Sequence, residues 1–182
     1  MAKFPSDELN PSKAVCDGTR REFDTSVDDP ILGAVVKRLI DESFEVAVPL
    51  SLAWDHLAQV ENWPTWAKHI KSVARIPAGP LSIDTQATVR LRNGMTSTFK
   101  MIEFAPPSHW KWSGSLLGAQ IYYDHVFSEI APGQTRVWFT VDASGWQVAI
   151  LSRIFASIYR RNLRRAIPLL IAEIEALAGS NR

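Results

Sequence analysis

A chain of 182 residues fits one domain at about 100–200 residues per domain, with room for a tail. Its 46% hydrophobic and 21% charged residues exclude a wholly disordered chain and a disulfide-built miniprotein. With 20 Lys plus Arg against 19 Asp plus Glu, the formal net charge of +1 argues against a dedicated nucleic-acid binder, which carries a clear basic excess.

Residues 1–28 are polar, mixed in charge and punctuated by Pro5, Pro11 and Gly18, and they read as a loosely ordered tail. No apolar stretch in them resembles a secretory signal. The single cysteine, Cys16, cannot form an intramolecular disulfide, so a reducing, cytoplasmic setting is expected. Apolar runs such as Ile167 to Ala172 reach about six residues, far below the roughly 20 of a membrane span, so no transmembrane segment is expected.

From Asp28-Asp29-Pro30 the pattern changes. Acidic caps ahead of a first-turn proline open a helix. Ile31, Leu32, Val35, Val36, Leu39 and Ile40 recur at helical spacing, which predicts a short amphipathic helix ending near Glu42. Residues 1–42 thus read as an N-terminal extension and 43–179 as the domain. Phe44, Val46 and Val48 alternate and predict a strand over 43–48, ended by Pro49. Ser51 is the predicted cap of a helix whose apolar side holds Trp54, Leu57 and Ala58. After a break at Glu61-Asn62, Pro64 starts a second short helix reaching about Lys68.

Six strands are predicted next, at 70–76, 84–92, 97–105, 109–116, 119–130 and 134–142. Turn chemistry separates them, most clearly Asn93-Gly94, a strong hairpin signal. No helical pattern intervenes, so the sheet is an antiparallel meander. After Ser144-Gly145, three-to-four spacing from Leu151 to Leu177 predicts a C-terminal helix of about 30 residues, kinked near Pro168 and ending before Gly179.

A single helix is narrower than the curved seven-stranded sheet it must cover. The space between them is either filled by large side chains or left as an apolar pocket.

Four segments in this order carry a resemblance. They are Val48-Pro49-Leu50-Ser51-Leu52-Ala53-Trp54, Glu61-Asn62-Trp63-Pro64-Thr65-Trp66, Glu103-Phe104-Ala105-Pro106-Pro107 and Gly133-Gln134-Thr135-Arg136-Val137. Over roughly residues 43–178 the chain resembles the START-like, helix-grip (SRPBCC) superfamily, and within it the polyketide cyclase/dehydrase-type proteins. The resemblance implies an α+β helix-grip fold: a curved seven-stranded antiparallel sheet wrapped on a long C-terminal helix, with two short helices between the first two strands. It also implies a cavity for a small hydrophobic or aromatic molecule, and no cofactor. Members include lipid carriers, hormone receptors and aromatase/cyclases, and the fold alone does not choose among them.

Along strand 119–130, Ile121, Tyr123, His125 and Phe127 share the more apolar face, which should meet the helix. A cavity His beside a Tyr can move protons in a cyclase-like reaction, so His125 and Tyr123 are the catalytic candidates. The alternative is a hydrogen-bonded core histidine or a plain ligand contact. Trp110 and Trp112 share a face and offer a π surface to an aromatic or isoprenoid ligand, or else fill the core. Phe155, Ile158, Tyr159 and Asn162 are the expected contacts from the long helix. Trp54 and Trp66 read as wedges holding the short helices on the sheet. Arg90 and Arg92 read as outer-face residues, with anion binding as the alternative.

Arg153, Arg160, Arg161, Arg164 and Arg165 cluster on the long helix, either as a solvated face or as a contact for an acidic carrier protein or an anionic membrane. A lipid or quinone carrier with peripheral membrane contact is therefore a further reading. His56, His69 and His109 stand apart, so no metal site is expected. Neither GxSxG, a P-loop nor GxGxxG occurs, and Cys16 in the tail is not expected to act as a nucleophile. The oligomeric state stays open, a homodimer included.

Overall fold

Period-two alternation becomes one sheet in the computed structural model, which describes residues 36–116 and 118–180. Among the described residues seven strands form: β1 (Lys37–Val46), β2 (Ile70–Ile76), β3 (Gln86–Leu91), β4 (Thr96–Ala105), β5 (His109–Leu116), β6 (Ala119–Ala131) and β7 (Gln134–Ser144). They pair antiparallel throughout, in the order β1-β7-β6-β5-β4-β3-β2. Helix α1 (Leu50–Ala58), a 3-10 turn (Val60–Asn62) and the short helix α2 (Trp63–Trp66) join β1 to β2, and α3 (Gln147–Ser180) follows β7. This is the α+β helix-grip class expected from the sequence.

From β2 onward every strand lies within two residues of its predicted bounds. The Asn93-Gly94 turn is made by a glycine at φ 89°, with Leu91 N–H donating to Met95 O over 2.8 Å.

Three details differ from expectation. Residues 37–42 are strand, not helix, so the strand predicted at 43–48 begins at Lys37. A register shift between Arg38 and Ile40 in the β1–β7 pairing lets the consecutive residues Leu39 and Ile40 both be buried. Two adjacent inward residues imitate helical spacing, and that misled the periodicity. The remainder of that predicted helix, up to residue 35, and the tail lie outside the described residues. Ser51 does not cap α1: Pro49 holds the N-cap position, and its carbonyl accepts from Leu52 and Ala53 N–H at 3.1 and 3.2 Å. Gly179 lies inside α3 rather than beyond it, whereas Pro168 lies inside it as expected.

The inner face of the sheet follows the alternation. β7 turns Thr135, Val137, Phe139, Val141 and Ala143 inward. In β4 a register shift between Met101 and Glu103 re-aims the strand, so that Phe104 rather than Glu103 packs on the core. α3 is fastened most firmly at its C-terminal half. Leu163, Ala166, Leu170 and Ile174 are buried in one stripe. Beside that stripe, Glu173 Oε2 accepts from Thr65 Oγ1 at 2.7 Å and Glu175 Oε1 from Ala47 N–H at 3.1 Å. The N-terminal half buries the smaller side chains Val148, Ser152 and Ala156 and is tied by Lys37 Nζ to Ser152 Oγ at 3.0 Å and Arg160 Nη2 to Leu39 O at 3.1 Å.

Gly114 faces Phe99 across β4–β5. A Cβ there would fall 2.3 Å from Phe99 Cδ1 and 2.8 Å from the Thr98 carbonyl oxygen. Gly114→Ala is therefore expected to lower the unfolding free energy by about 1–3 kcal/mol through overpacking. The readout is the urea midpoint, and an unchanged midpoint would mean that Phe99 moves aside without cost.

Candidate functional site

Where the inner face carries small side chains, the helix and sheet do not meet. Ala87 on β3 and Ala143 on β7 face a cavity of about 580 Å³ beneath the N-terminal half of α3. Close packing elsewhere makes such a void notable: a filled core leaves few spaces larger than a water molecule.

Seven of the nine sequence-predicted contacts line the cavity. Trp112, Tyr123 and His125 come from the sheet, and Phe155, Ile158, Tyr159 and Asn162 from α3. Trp110 and Phe127 do not line it, although both point inward. The Trp54 side chain of α1 seals that end, with ring centroids 4.6 Å from Trp110 and 5.3 Å from Phe127. Alternation assigns a face correctly but not a depth along it. Trp54 and Trp66 are buried, in keeping with a structural role.

Trp63 is a cavity residue that periodicity did not single out. Its indole Nε1 donates to Leu57 O at 2.9 Å, and its ring stacks at 6.1 Å on His125. At the rim, Arg92 is exposed and donates through Nε to Lys68 O at 2.7 Å, while Arg90 points to the outer face.

Burial disfavours charge on His125, Tyr123 and Tyr159 of the cavity wall. His125 sits among aromatic rings, 4.9 Å from Phe139 and 5.2 Å from Trp110. Burial pushes its pKa down to about 4, against the smaller opposing pull of Asp124. Its Nδ1 is buried without a hydrogen-bond partner, as is Trp112 Nε1. Trp112 therefore offers the cavity a ring surface rather than its N–H. Burial pushes the Tyr123 and Tyr159 hydroxyls up, so both stay protonated. The two rings lie 5.9 Å apart, one on the sheet and one on the helix.

The remaining histidines do other things. His109 bonds Asp124 at 2.7 Å on the opposite face of β6, and that hydrogen bond raises its pKa. His56 lies 3.6 Å from Glu173, and burial lowers its pKa. His69 is at the cavity rim, also lowered by burial. Among the described residues no group of His, Cys, Asp and Glu is placed to hold a metal ion.

The His125 shift has a stability consequence with a definite sign. Between pH 6.5 and about 4 the unfolded chain takes up a proton that the folded protein does not. The stability is complete above the ordinary value and falls as pH drops, by about 3 kcal/mol from this group. His125→Gln is expected to remove that part of the acid-side decline in urea midpoint; an equally steep decline in the variant would assign it to other groups.

The same architecture recurs in known proteins. A family model described as polyketide cyclase/dehydrase and lipid transport matches residues 37–168, reaching back to the start of β1. Zhui aromatase/cyclase from Streptomyces sp. R1128 is similar in structure, with TM-score 0.62 and 13% identity over 78% of this chain and 94% of its own. Norcoclaurine synthase from Thalictrum flavum, solved with dopamine and hydroxybenzaldehyde, gives TM-score 0.59 and 15% identity over 77% and 88%. A hypothetical protein of Helicobacter pylori, jhp0584, gives 0.63 and 12% over 73% and 85%. No curated protein sequence matches. Identities this low speak to the fold alone, but the family match spans most of the sheet and helix. The chain belongs to the polyketide cyclase/dehydrase and lipid transport family.

Proposed function

We propose that this protein binds a small, hydrophobic, largely aromatic molecule in the cavity between its sheet and α3. The observation that carries the reading is an open, largely apolar cavity with a few neutral polar side chains on its wall. The hydroxyls of Tyr123 and Tyr159 and the amide of Asn162 take part in no hydrogen bond among the described residues. An apolar wall with a few unspent polar groups is the usual character of a small-molecule site. Such groups suit a ligand bearing a carbonyl or hydroxyl, such as a phenol, a ring ketone or a quinone. A carboxylate would find, among the described lining residues, no cation but the exposed Arg92. Of the two compounds held by the norcoclaurine synthase neighbour, hydroxybenzaldehyde is of this kind, and dopamine shares the phenol but adds an amine. A single cysteine, Cys16, which cannot pair within the chain, supports a reducing, cytoplasmic setting.

A cyclase-like reaction with His125 and Tyr123 as proton-transfer groups is the second reading, favoured by the aromatase/cyclase neighbour and by their shared place on the cavity wall. An imidazole with a pKa of about 4 is a weak base at neutral pH, which weighs toward binding. If turnover does occur, His125→Gln should abolish it while leaving binding within about tenfold.

The binding reading is tested by titrating the neutral ring ketone dye Nile red and following its emission. Saturable binding with a blue shift is expected. Tyr159→Phe and Tyr123→Phe should weaken it about two- to tenfold, the range for losing one hydrogen bond. Leu91→Trp, which narrows the cavity by the β3–β4 hairpin, should weaken it at least about tenfold without moving the urea midpoint. No saturable binding, or equal binding by Leu91→Trp, would overturn the proposal.

A further inference from the structure

The half of α3 that lies over the cavity presents apolar side chains to solvent. Trp146, just before the helix, is 75% exposed, Ile154 61% and Ile158 58%. Ile154 and Ile158 also border the cavity, so this surface and the cavity mouth are continuous.

Cationic residues extend the same surface. Positions 154, 158, 161 and 165 follow one another at four-, three- and four-residue steps, so Arg161 and Arg165 continue the row of the two isoleucines. Arg153, Arg160 and Arg164 form the neighbouring row, and all five arginines are exposed. From Trp146 to Ala172 the sequence contains no Asp or Glu. The acidic residues of α3, Glu173 and Glu175, are engaged at the other end by Thr65 and Ala47. With a chain net charge of only +1, these arginines are a local concentration and not a general basicity. Across the mouth, the β3–β4 hairpin adds exposed Arg92 and half-buried Met95.

We infer that this face seats the cavity mouth on an anionic lipid bilayer. Indole rings and aliphatic side chains enter the boundary between headgroups and acyl chains, and guanidinium groups stay with the phosphates. A bilayer satisfies both halves of the surface at once. An acidic protein surface would answer the arginines but not the isoleucines that rim a hydrophobic cavity. Among the described residues no helix is long and apolar enough to cross a membrane, so the contact is peripheral. The docking stands on the exposed side chains. The further step, passage of a hydrophobic ligand between bilayer and cavity, rests on the binding reading above.

Co-sedimentation of the full chain with vesicles tests it. The protein should bind phosphatidylcholine vesicles containing phosphatidylserine at low salt. It should be released at about 0.5 M salt and fail to bind phosphatidylcholine alone. Each arginine near an anionic surface is worth about fivefold, so the double variant Arg161→Glu, Arg165→Glu should lose at least about 25-fold. Trp146→Ala should lose several-fold. Both variants should keep the wild-type urea midpoint and Nile red affinity. Wild-type protein that ignores phosphatidylserine vesicles at low salt overturns the inference, even if it captures an acidic protein. Equal vesicle binding by wild type and charge-reversed variant overturns it too. Failure of dye binding with vesicle docking intact would instead refute the binding reading and leave the docking in place.

Discussion

One helix has to cover one face of seven strands, and where it is held decides everything else. α3 is anchored at its C-terminal half by a buried stripe ending in Leu170 and Ile174 and by the carboxylates of Glu173 and Glu175. Burying a Leu or Ile side chain is worth about 1.5–3 kcal/mol each, so that half is fixed. The N-terminal half then passes over Ala87 and Ala143, whose side chains are too short to reach it. The cavity follows from that geometry: firm packing at one end and small residues beneath the other.

The cavity's chemistry follows from its burial. Enclosure by aromatic rings disfavours charge, which keeps His125 neutral and the Tyr123 and Tyr159 hydroxyls protonated. What remains is a set of weak, neutral hydrogen-bonding groups on an apolar wall. Such a wall discriminates by shape and by one or two polar contacts, not by charge. Charge is instead kept outside, on the solvent side of α3. This separation lets one helix serve both as the roof of an apolar site and as a cationic surface.

Much of this was legible in the sequence because it depended on local pattern. Strict alternation through β5 to β7 placed Trp112, Tyr123 and His125 on the inner face, and the spacing in α3 placed Phe155, Tyr159 and Asn162 opposite them. What periodicity could not see were departures from regularity and positions along a strand. The β1 irregularity put Leu39 and Ile40 inward together and read as helix. Trp110 and Phe127 share the correct face, yet Trp54 from another element fills the space beside them. Trp63, named in the sequence only as part of a motif, is a cavity residue for the same reason: its place beside His125 is set by how α2 docks, a tertiary fact. The exposure of Ile154 and Ile158 was equally invisible, since their spacing is that of a buried stripe.

An open apolar cavity, and not a filled core, lies between α3 and the sheet. A crystal structure of the protein under xenon pressure tests it most directly, because xenon enters dry apolar cavities and not close-packed interiors. The expected result is xenon, or a co-purified hydrophobic molecule, lodged between Ala87, Ala143 and Phe155. An α3 packed down onto those alanines, with neither xenon nor ligand beneath it, would contradict the claim.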